Sequence, residues 1–524
     1  MKIIYTLILA IAITSNTSAS KDSTAIKYAN TITAQELREH LLVISSDEFN
    51  GREAGTEGQK KAAEYIKEYF QGLGIPPLDE TKTSAPIKDG YFQEFLLQVT
   101  NASNSELTIN DSKSQFGEDF FFLDAPSESI TNIKEISFVG FGLSNSGFNE
   151  MPTDLVKDKY VMLIDGLPEN KKGEVVESDE RFVGSFFDRV KARKEDLSEK
   201  GVSGALVVLH DIEKKAKAFS FFLKGGRTTL YSEDKKNIPI IFISEEIADQ
   251  ILEENSTTLA KLEKKIIKKG VPIVFETSTN IQLDLGSGIK TPTSENILGF
   301  VEGTDLKDEI VVITAHFDHV GASKGDIYNG ADDDGSGTVT LLELAEAFTQ
   351  AKKDGYGPRR SMLFMPVSAE EKGLLGSRYY TDNPVFPLEN TVVDLNIDMI
   401  GRHDTAHNDQ LDYVYIIGSN RLSTELHNIS ENANSTYTNL HLDYTYNEPD
   451  DPNKFYYRSD HYNFAKNNIP VIFYFSGVHE DYHKPTDTIE KIEFDNLEKR
   501  ARLIFYTAWE LANRDERIQV DVVE

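Results

Sequence analysis

The chain contains no cysteine in 524 residues. Disulfides, thiol nucleophiles and a lipid-anchored N-terminus are therefore excluded, and any zinc must be held by His, Asp and Glu. Basic residues are also short, 55 Lys and Arg against 86 Asp and Glu, for a net charge of −31. That balance argues against nucleic acid or an anionic membrane surface as a partner, because both need clustered cations. Its plain meaning is an acidic, solubilising surface. Long apolar runs are missing too. The run Ile3 to Ile13 follows Met1-Lys2 and precedes the small residues Thr17, Ala19 and Ser20. It falls short of the roughly 20 residues that span a bilayer and reads as a secretory signal peptide over 1–20. The expectation is an exported protein, secreted or periplasmic, without a membrane span.

What is present suffices for buried cores: 39% apolar residues, with 30 Phe and 22 Tyr. The length predicts two or three domains. Thr33 to Gly74 reads as helical, with Ala62, Ile66, Tyr69, Phe70 and Leu73 on one face. The segment Ser45 to Gly58, rich in glycine and short polar residues, reads as a tight connection with a structural role. From 101 to 285 the pattern changes to short strand-like runs without a ligand-like cluster, His210 standing alone. This stretch is expected to be a smaller β-rich domain inserted between 21–100 and 286–524. After Glu295, strand-like runs at 296–301, 309–315, 361–367, 392–397, 413–417 and 470–475 accompany a helix from Ser336 to Ala351. The predicted class is α/β, a three-layer sandwich around a mostly parallel sheet.

Polar residues end these strands in series. His316 closes one, Asp332 lies in the loop before the helix, Glu370-Glu371 and Asp398 close two more, and His483 follows the last. Ligands in open α/β sheets bind beyond the carboxyl ends of the strands, which is where these residues fall. Two divalent ions, three carboxylates and one hydroxide sum to zero charge. His316, Asp332, Glu371, Asp398 and His483 can therefore hold two metals if one carboxylate bridges, with a bridging hydroxide as nucleophile. Glu370 is left over as a general base.

The motifs SENILGFVEG, EIVVITAHFDHVG, NGADDDGSG, VSAEEKGLLGS, LNIDMIGR, RSDHYNFAKNNIP and DYHKPTDT, with the earlier SSDEFNGREAGTEG, resemble one family across nearly the whole chain. It is the dizinc exopeptidase family of aminopeptidases Y and S, glutamate carboxypeptidase and glutaminyl cyclase. The resemblance implies two Zn2+ per chain, His316 and Asp398 on one, Glu371 and His483 on the other, and Asp332 bridging. It also implies Glu370 as base, Asp318 orienting His316, Tyr482 hydrogen-bonding the oxyanion, a cis Asp332-Asp333 peptide, and a protease-associated domain at 101–285. The helical dimerisation domain of the glutamate carboxypeptidase branch is not expected, since little beyond one long helix follows His483. The expected activity is a secreted zinc aminopeptidase acting on peptides. The alternatives are a carboxypeptidase or dipeptidase on the same fold, and a catalytically silent peptide-binding protein. Oligomeric state and side-chain preference stay open.

Three motifs mislead. His479 to His483 spells HExxH, but Gly477 before it and Pro485 after it leave no room for the helix that zincin chemistry needs. Gly321 to Gly325 spells GxSxG but continues as loop where a nucleophile elbow requires a helix. The aspartates at 332–334 do not place ligands at the spacing of an EF-hand.

Overall fold

The computed structural model describes residues 21–100, 105–123, 130–145, 148–170, 172–219, 223, 227–231, 238–285 and 289–522. The expected signal peptide lies outside them. The chain divides into two units, Met1–Phe95 with Ser294–Glu524, and Leu96–Thr293.

In the first unit the apolar runs become seven strands: β1 (Gly299–Val301), β2 (Leu306–His316), β3 (Arg360–Val367), β4 (Thr391–Ile397), β5 (Tyr413–Ile417), β6 (His441–Asp443) and β7 (Val471–Phe475). Their order in the sheet is β1-β3-β2-β4-β7-β5-β6. The central strands β3, β2, β4 and β7 are parallel, while β1 and β5 pair antiparallel with β3 and β7. Side chains alternate across the sheet with period two. Thus Val311, Ile313 and Ala315 enter one core, and Ile310 and Val312 the other. This is why the central strands read as continuous apolar runs.

Helices cover both faces. The first core is closed by α1 (Ala34–Ile44), α2 (Glu57–Gly72), α3 (Gly337–Lys353), α5 (Thr424–Ala433) and α7 (Phe494–Asn513); α4 (Leu375–Asp382) and α6 (His461–Ala465) lie over the second. The helix predicted from Thr33 to Gly74 is thus two helices. Thr33 caps α1 by accepting from Glu36 N (3.2 Å), and a turn over Asp47–Arg52 separates α1 from α2. That turn is fixed by Arg52, whose buried guanidinium donates to the carbonyls of Phe317, Ile44 and Asn329 (2.7 Å each) and Gly330 (3.0 Å). Gly51 is required beside it, since a Cβ there would meet the Gly321 carbonyl oxygen at 2.3 Å. Among the described residues no helix is long and apolar enough to cross a membrane.

The second unit has an eight-stranded sheet with cores on both faces. Its parallel strands are Ile130–Phe138, Tyr160–Ile164, Gly204–Val208 and Ile240–Ile243. Helices such as Phe186–Glu199 and Leu259–Lys269 accompany them. The boundaries differ from the expected 101 and 285 for a physical reason. The strand Phe92–Thr100 continues past Phe95, and its end pairs antiparallel with Ile289–Lys290, Val99 opposite Lys290 and Thr100 opposite Ile289.

Candidate metal centre

The carboxyl ends of β2, β3, β4 and β7 deliver His316, Glu370-Glu371, Asp398 and the 479–483 turn to one place. Three of these chain exits pass through left-handed backbone at non-glycine residues: Ala369 (φ 61°), Met399 (φ 53°) and His483 (φ 53°). Such residues are disfavoured by about 1–2 kcal/mol each and cluster where a site dictates side-chain direction.

The aspartate loop supplies the centre, in a register one residue from that expected. Asp333 is extended (φ −99°, ψ 97°), so successive side chains point opposite ways. Asp332 turns inward: its Oδ1 accepts from Gly401 N (2.6 Å) and its Oδ2 lies 3.1 Å from His479 Nε2. Asp334 also turns inward, accepting from His316 N (3.2 Å), Gly337 N (2.9 Å) and Met399 N (3.0 Å), which ties β2, α3 and the end of β4 together. Asp333 alone faces the cleft. Its Oδ1 is 3.3 Å from His316 Nε2 and its Oδ2 3.1 Å from His483 Nε2. Asp333, and not Asp332 as expected, is therefore the aspartate that lies between His316 and His483, and the cis peptide is Asp333-Asp334. Asp487 fixes the loop by accepting the Asp332 and Asp333 amides (3.1 Å). Gly330 lets it close, since a Cβ there would meet the Asp333 carbonyl oxygen at 2.2 Å.

Two half-sites result. In one, His316 Nε2 lies 3.5 Å from Asp398 Oδ1 beside the Asp333 oxygen. His316 Nδ1 donates to the Asp318 backbone carbonyl (3.0 Å), which aims Nε2 at the cleft. The Asp318 carboxylate is 3.9 Å from that nitrogen and instead accepts from Glu370 N (3.2 Å). Orientation by the Asp318 side chain is thus replaced by its main chain. In the other half-site His483 Nε2 is 3.0 Å from Glu371 Oε2. His319, which sequence reasoning passed over, brings Nδ1 to 2.9 Å from Glu371 Oε1.

The electrostatics are those of donors gathered around a cation. Burial favours the neutral forms, yet the histidines His319, His316 and His483 outweigh it and hold Asp333 well below the usual carboxylate range. Burial likewise opposes protonation of His483, but hydrogen bonds to Asp333 and Glu371 push it up to about 10. Glu370 is raised well above the carboxylate range by burial, against the pull of His316 and with the help of Glu371, Asp398 and Asp460. Asp333 Oδ2, Glu371 Oε1 and both ring nitrogens of His319 are buried and make no well-aligned hydrogen bond, only the close nitrogen–oxygen approaches given above. Nitrogen and carboxylate donors converging in this way, with a positive charge favoured between them, fit a divalent ion held by nitrogen and oxygen. Donor atoms of His319, Asp333 and Glu371 lie within 4.8 Å of one another, as do those of His316, Asp334 and Asp398.

Glu370 Oε2 sits 4.0 Å from His316 Nε2 and lines the cleft with Asp333 and Asp398. Tyr482 stacks on His483 with ring centroids 3.9 Å apart. A small cleft leads in past Phe455, Phe473, Phe475, Val478 and Arg458. The sequence 479–483 is a turn, so the HExxH match is coincidental. Ser323 of the GxSxG match lies in the exposed two-strand ribbon Ala322–Ser323 and Asp326–Ile327, away from any helix.

Residues 296–508 match Peptidase family M28. The chain is 28% identical over 233 residues to Aminopeptidase YwaD of Bacillus subtilis (strain 168), covering 43% of this chain and 46% of that one. It is 32% identical over 212 residues to a Probable leucine aminopeptidase of Arthroderma otae, covering 39% and 55%. The chain thus spans about half the length of these curated relatives. An aminopeptidase structure from Aneurinibacillus sp. strain AM-1 aligns over 95% of this chain and 98% of that chain, at 19% identity and a TM-score of 0.48.

Proposed function

We propose that this chain, whose residues 296–508 match Peptidase family M28, is an exported aminopeptidase of that family that holds two Zn2+ ions and removes N-terminal residues from peptides. The observation that carries the reading is Asp333, which offers one oxygen to the His316 side and the other to the His483 side. His316, Asp333 and Asp398 would hold one ion, and Asp333, Glu371 and His483 the other. Bound there, such ions supply a water acidified towards neutral pH and polarise the scissile carbonyl. Glu370 makes no close contact with either half-site, and its raised proton affinity suits a group that takes a proton from water and returns it to the leaving amine. Tyr482, kept protonated by burial and the surrounding carboxylates, offers a hydroxyl donor to an oxyanion. The aromatic walls of the cleft exclude water and suit an apolar N-terminal side chain, in keeping with the name of the fungal relative. Export rests on the apolar run at 3–13.

A second reading, carboxypeptidase or dipeptidase, is favoured by Arg458. Its guanidinium lies 4.7 Å over the Phe455 ring in the cleft wall, where it could receive a substrate carboxylate. Free and N-acetylated aminoacyl-arylamides, assayed with chelator and zinc add-back, separate the readings. Cleavage of free-amine substrates alone supports the aminopeptidase. Glu370→Gln should lower kcat at least ~10²-fold with both ions retained, and loss of an ion in that variant would overturn the division between base and ligand.

A further inference from the structure

Away from the peptidase centre, the edge strand β6 places His441 and Asp443 two residues apart, hence on the same face. Facing them is His407, only 6% exposed, at the end of the turn Thr405–His407. Donor atoms of His407, His441 and Asp443 lie within 4.8 Å of one another.

The orientation of His407 is set by its surroundings. Asp404 accepts from Ala406 N (3.1 Å) and from the Tyr415 hydroxyl (2.8 Å), so its carboxylate is well supplied with donors as an anion. His407 Nδ1 lies 2.9 Å from Asp404 Oδ1 and donates to it. The other nitrogen, Nε2, then presents its lone pair to Asp443 Oδ2 at 3.2 Å. A ring nitrogen and a carboxylate oxygen held this close are placed to share a cation. Rotation cannot relieve the contact, because the imidazole is stacked on Tyr413 (centroids 3.5 Å, planes 6° apart) and meets the Tyr415 ring edge-on at 5.1 Å. The outer side is accessible through a cleft of about 540 Å³ that His441, Asp443, Tyr444 and Glu448 help to line.

We propose that His407, His441 and Asp443 form an additional divalent-metal site for an ion of the Zn2+ class. Two imidazoles and a carboxylate with one open position are a common zinc donor set. Asp404 behind His407 is the carboxylate–histidine pairing that fixes the tautomer of metal-bound imidazole. Charge closes as well, since Asp404 and Asp443 balance a dication. The ion would act as a staple. β6 is held to β5 by only three paired residues, Tyr413 with His441, Val414 with Leu442 and Tyr415 with Asp443. A metal would fasten this edge strand to the 404–407 turn.

The test uses the full chain, stripped with chelator and reloaded with zinc alone in stoichiometric steps. Metal content, zinc-edge anomalous diffraction and Tm are read for the wild type, His441→Ala and Asp443→Ala. Both substituted side chains reach the surface, and unchanged circular dichroism confirms that the variants fold. The expected result is an anomalous peak among His407, His441 and Asp443, one equivalent per chain fewer in each variant, and a zinc-dependent rise in Tm that the variants lose. The difference of one equivalent is independent of how many ions the peptidase centre binds. Equal metal content in all three proteins with no peak at His407 would overturn the proposal and leave a proton joining His407 to Asp443.

Discussion

Replacing Asp333 with asparagine keeps its shape and removes the charge shared by the two half-sites. Its oxygens lie 3.3 Å from His316 Nε2 and 3.1 Å from His483 Nε2. At an effective dielectric of about 20, a unit charge at such a distance is worth about 5 kcal/mol. An amide oxygen recovers part of this, so about 3 kcal/mol should be lost at each centre, roughly a hundredfold in affinity for each ion. Asp332→Asn is the matched control, one residue away and equally buried. Asp332 supports Gly401 N and His479 without facing the cleft, so its loss should weaken metal binding about tenfold, the low end for a supporting contact. Zinc content after dialysis against graded chelator measures both, with Tm reporting folding and activity after zinc add-back reporting rescue. Asp333→Asn should remain inactive at zinc levels that restore Asp332→Asn. If Asp332→Asn lost both ions while Asp333→Asn bound them as tightly as the wild type, the assigned register would be refuted.

Other outcomes follow from buried groups. Arg52→Lys replaces a planar fork that serves four carbonyls with a single ammonium, so at about 1–3 kcal/mol per orphaned carbonyl the first unit should lose several degrees in Tm; calorimetry showing no change would contradict the tethering role. Glu150 of the second unit is fully buried, and burial lifts its carboxyl from the ordinary 4.5 to about 7. The folded state therefore binds this proton more tightly, and its stabilisation is complete below pH 4.5 and lost as pH rises through 7, about 3 kcal/mol in all. Urea midpoints should fall between pH 5 and pH 8 in the wild type and flatten in Glu150→Gln, whereas parallel curves would remove Glu150 as the cause. Tyr482→Phe should lower kcat about 10²-fold with KM little changed, and an unaltered kcat would take the hydroxyl out of the reaction.

The sheet was legible because its central strands are buried on both faces, which leaves unbroken β-branched and aromatic runs such as Val311–Ala315 and Val471–Phe475. β6 was not: three residues reading His-Leu-Asp carry no periodicity. Polar residues falling where those runs stop gave the general position of His316, Glu370-Glu371, Asp398 and His483. Direction within the loops was another matter. Three consecutive aspartates look alike in one dimension, and only the backbone at Asp333, together with Asp487 and Gly330, decides which carboxylate faces the cleft. His319 was missed because its three-residue spacing from His316 falls on a loop, where spacing does not fix direction. His479 was noticed only as half of a false zincin motif, although it contacts Asp332 behind the centre.

The pairing of Val99-Thr100 with Ile289-Lys290, inside a four-stranded sheet, brings the two ends of the second unit side by side. Its entry and exit are neighbours, so nearly two hundred residues interrupt the chain without separating the points they interrupt. A tight turn joining Thr100 to Ile289 would convert this strand pair into a plain hairpin. In evolutionary terms this is a socket, into which a domain can be set, exchanged or left out while the paired strands keep their course.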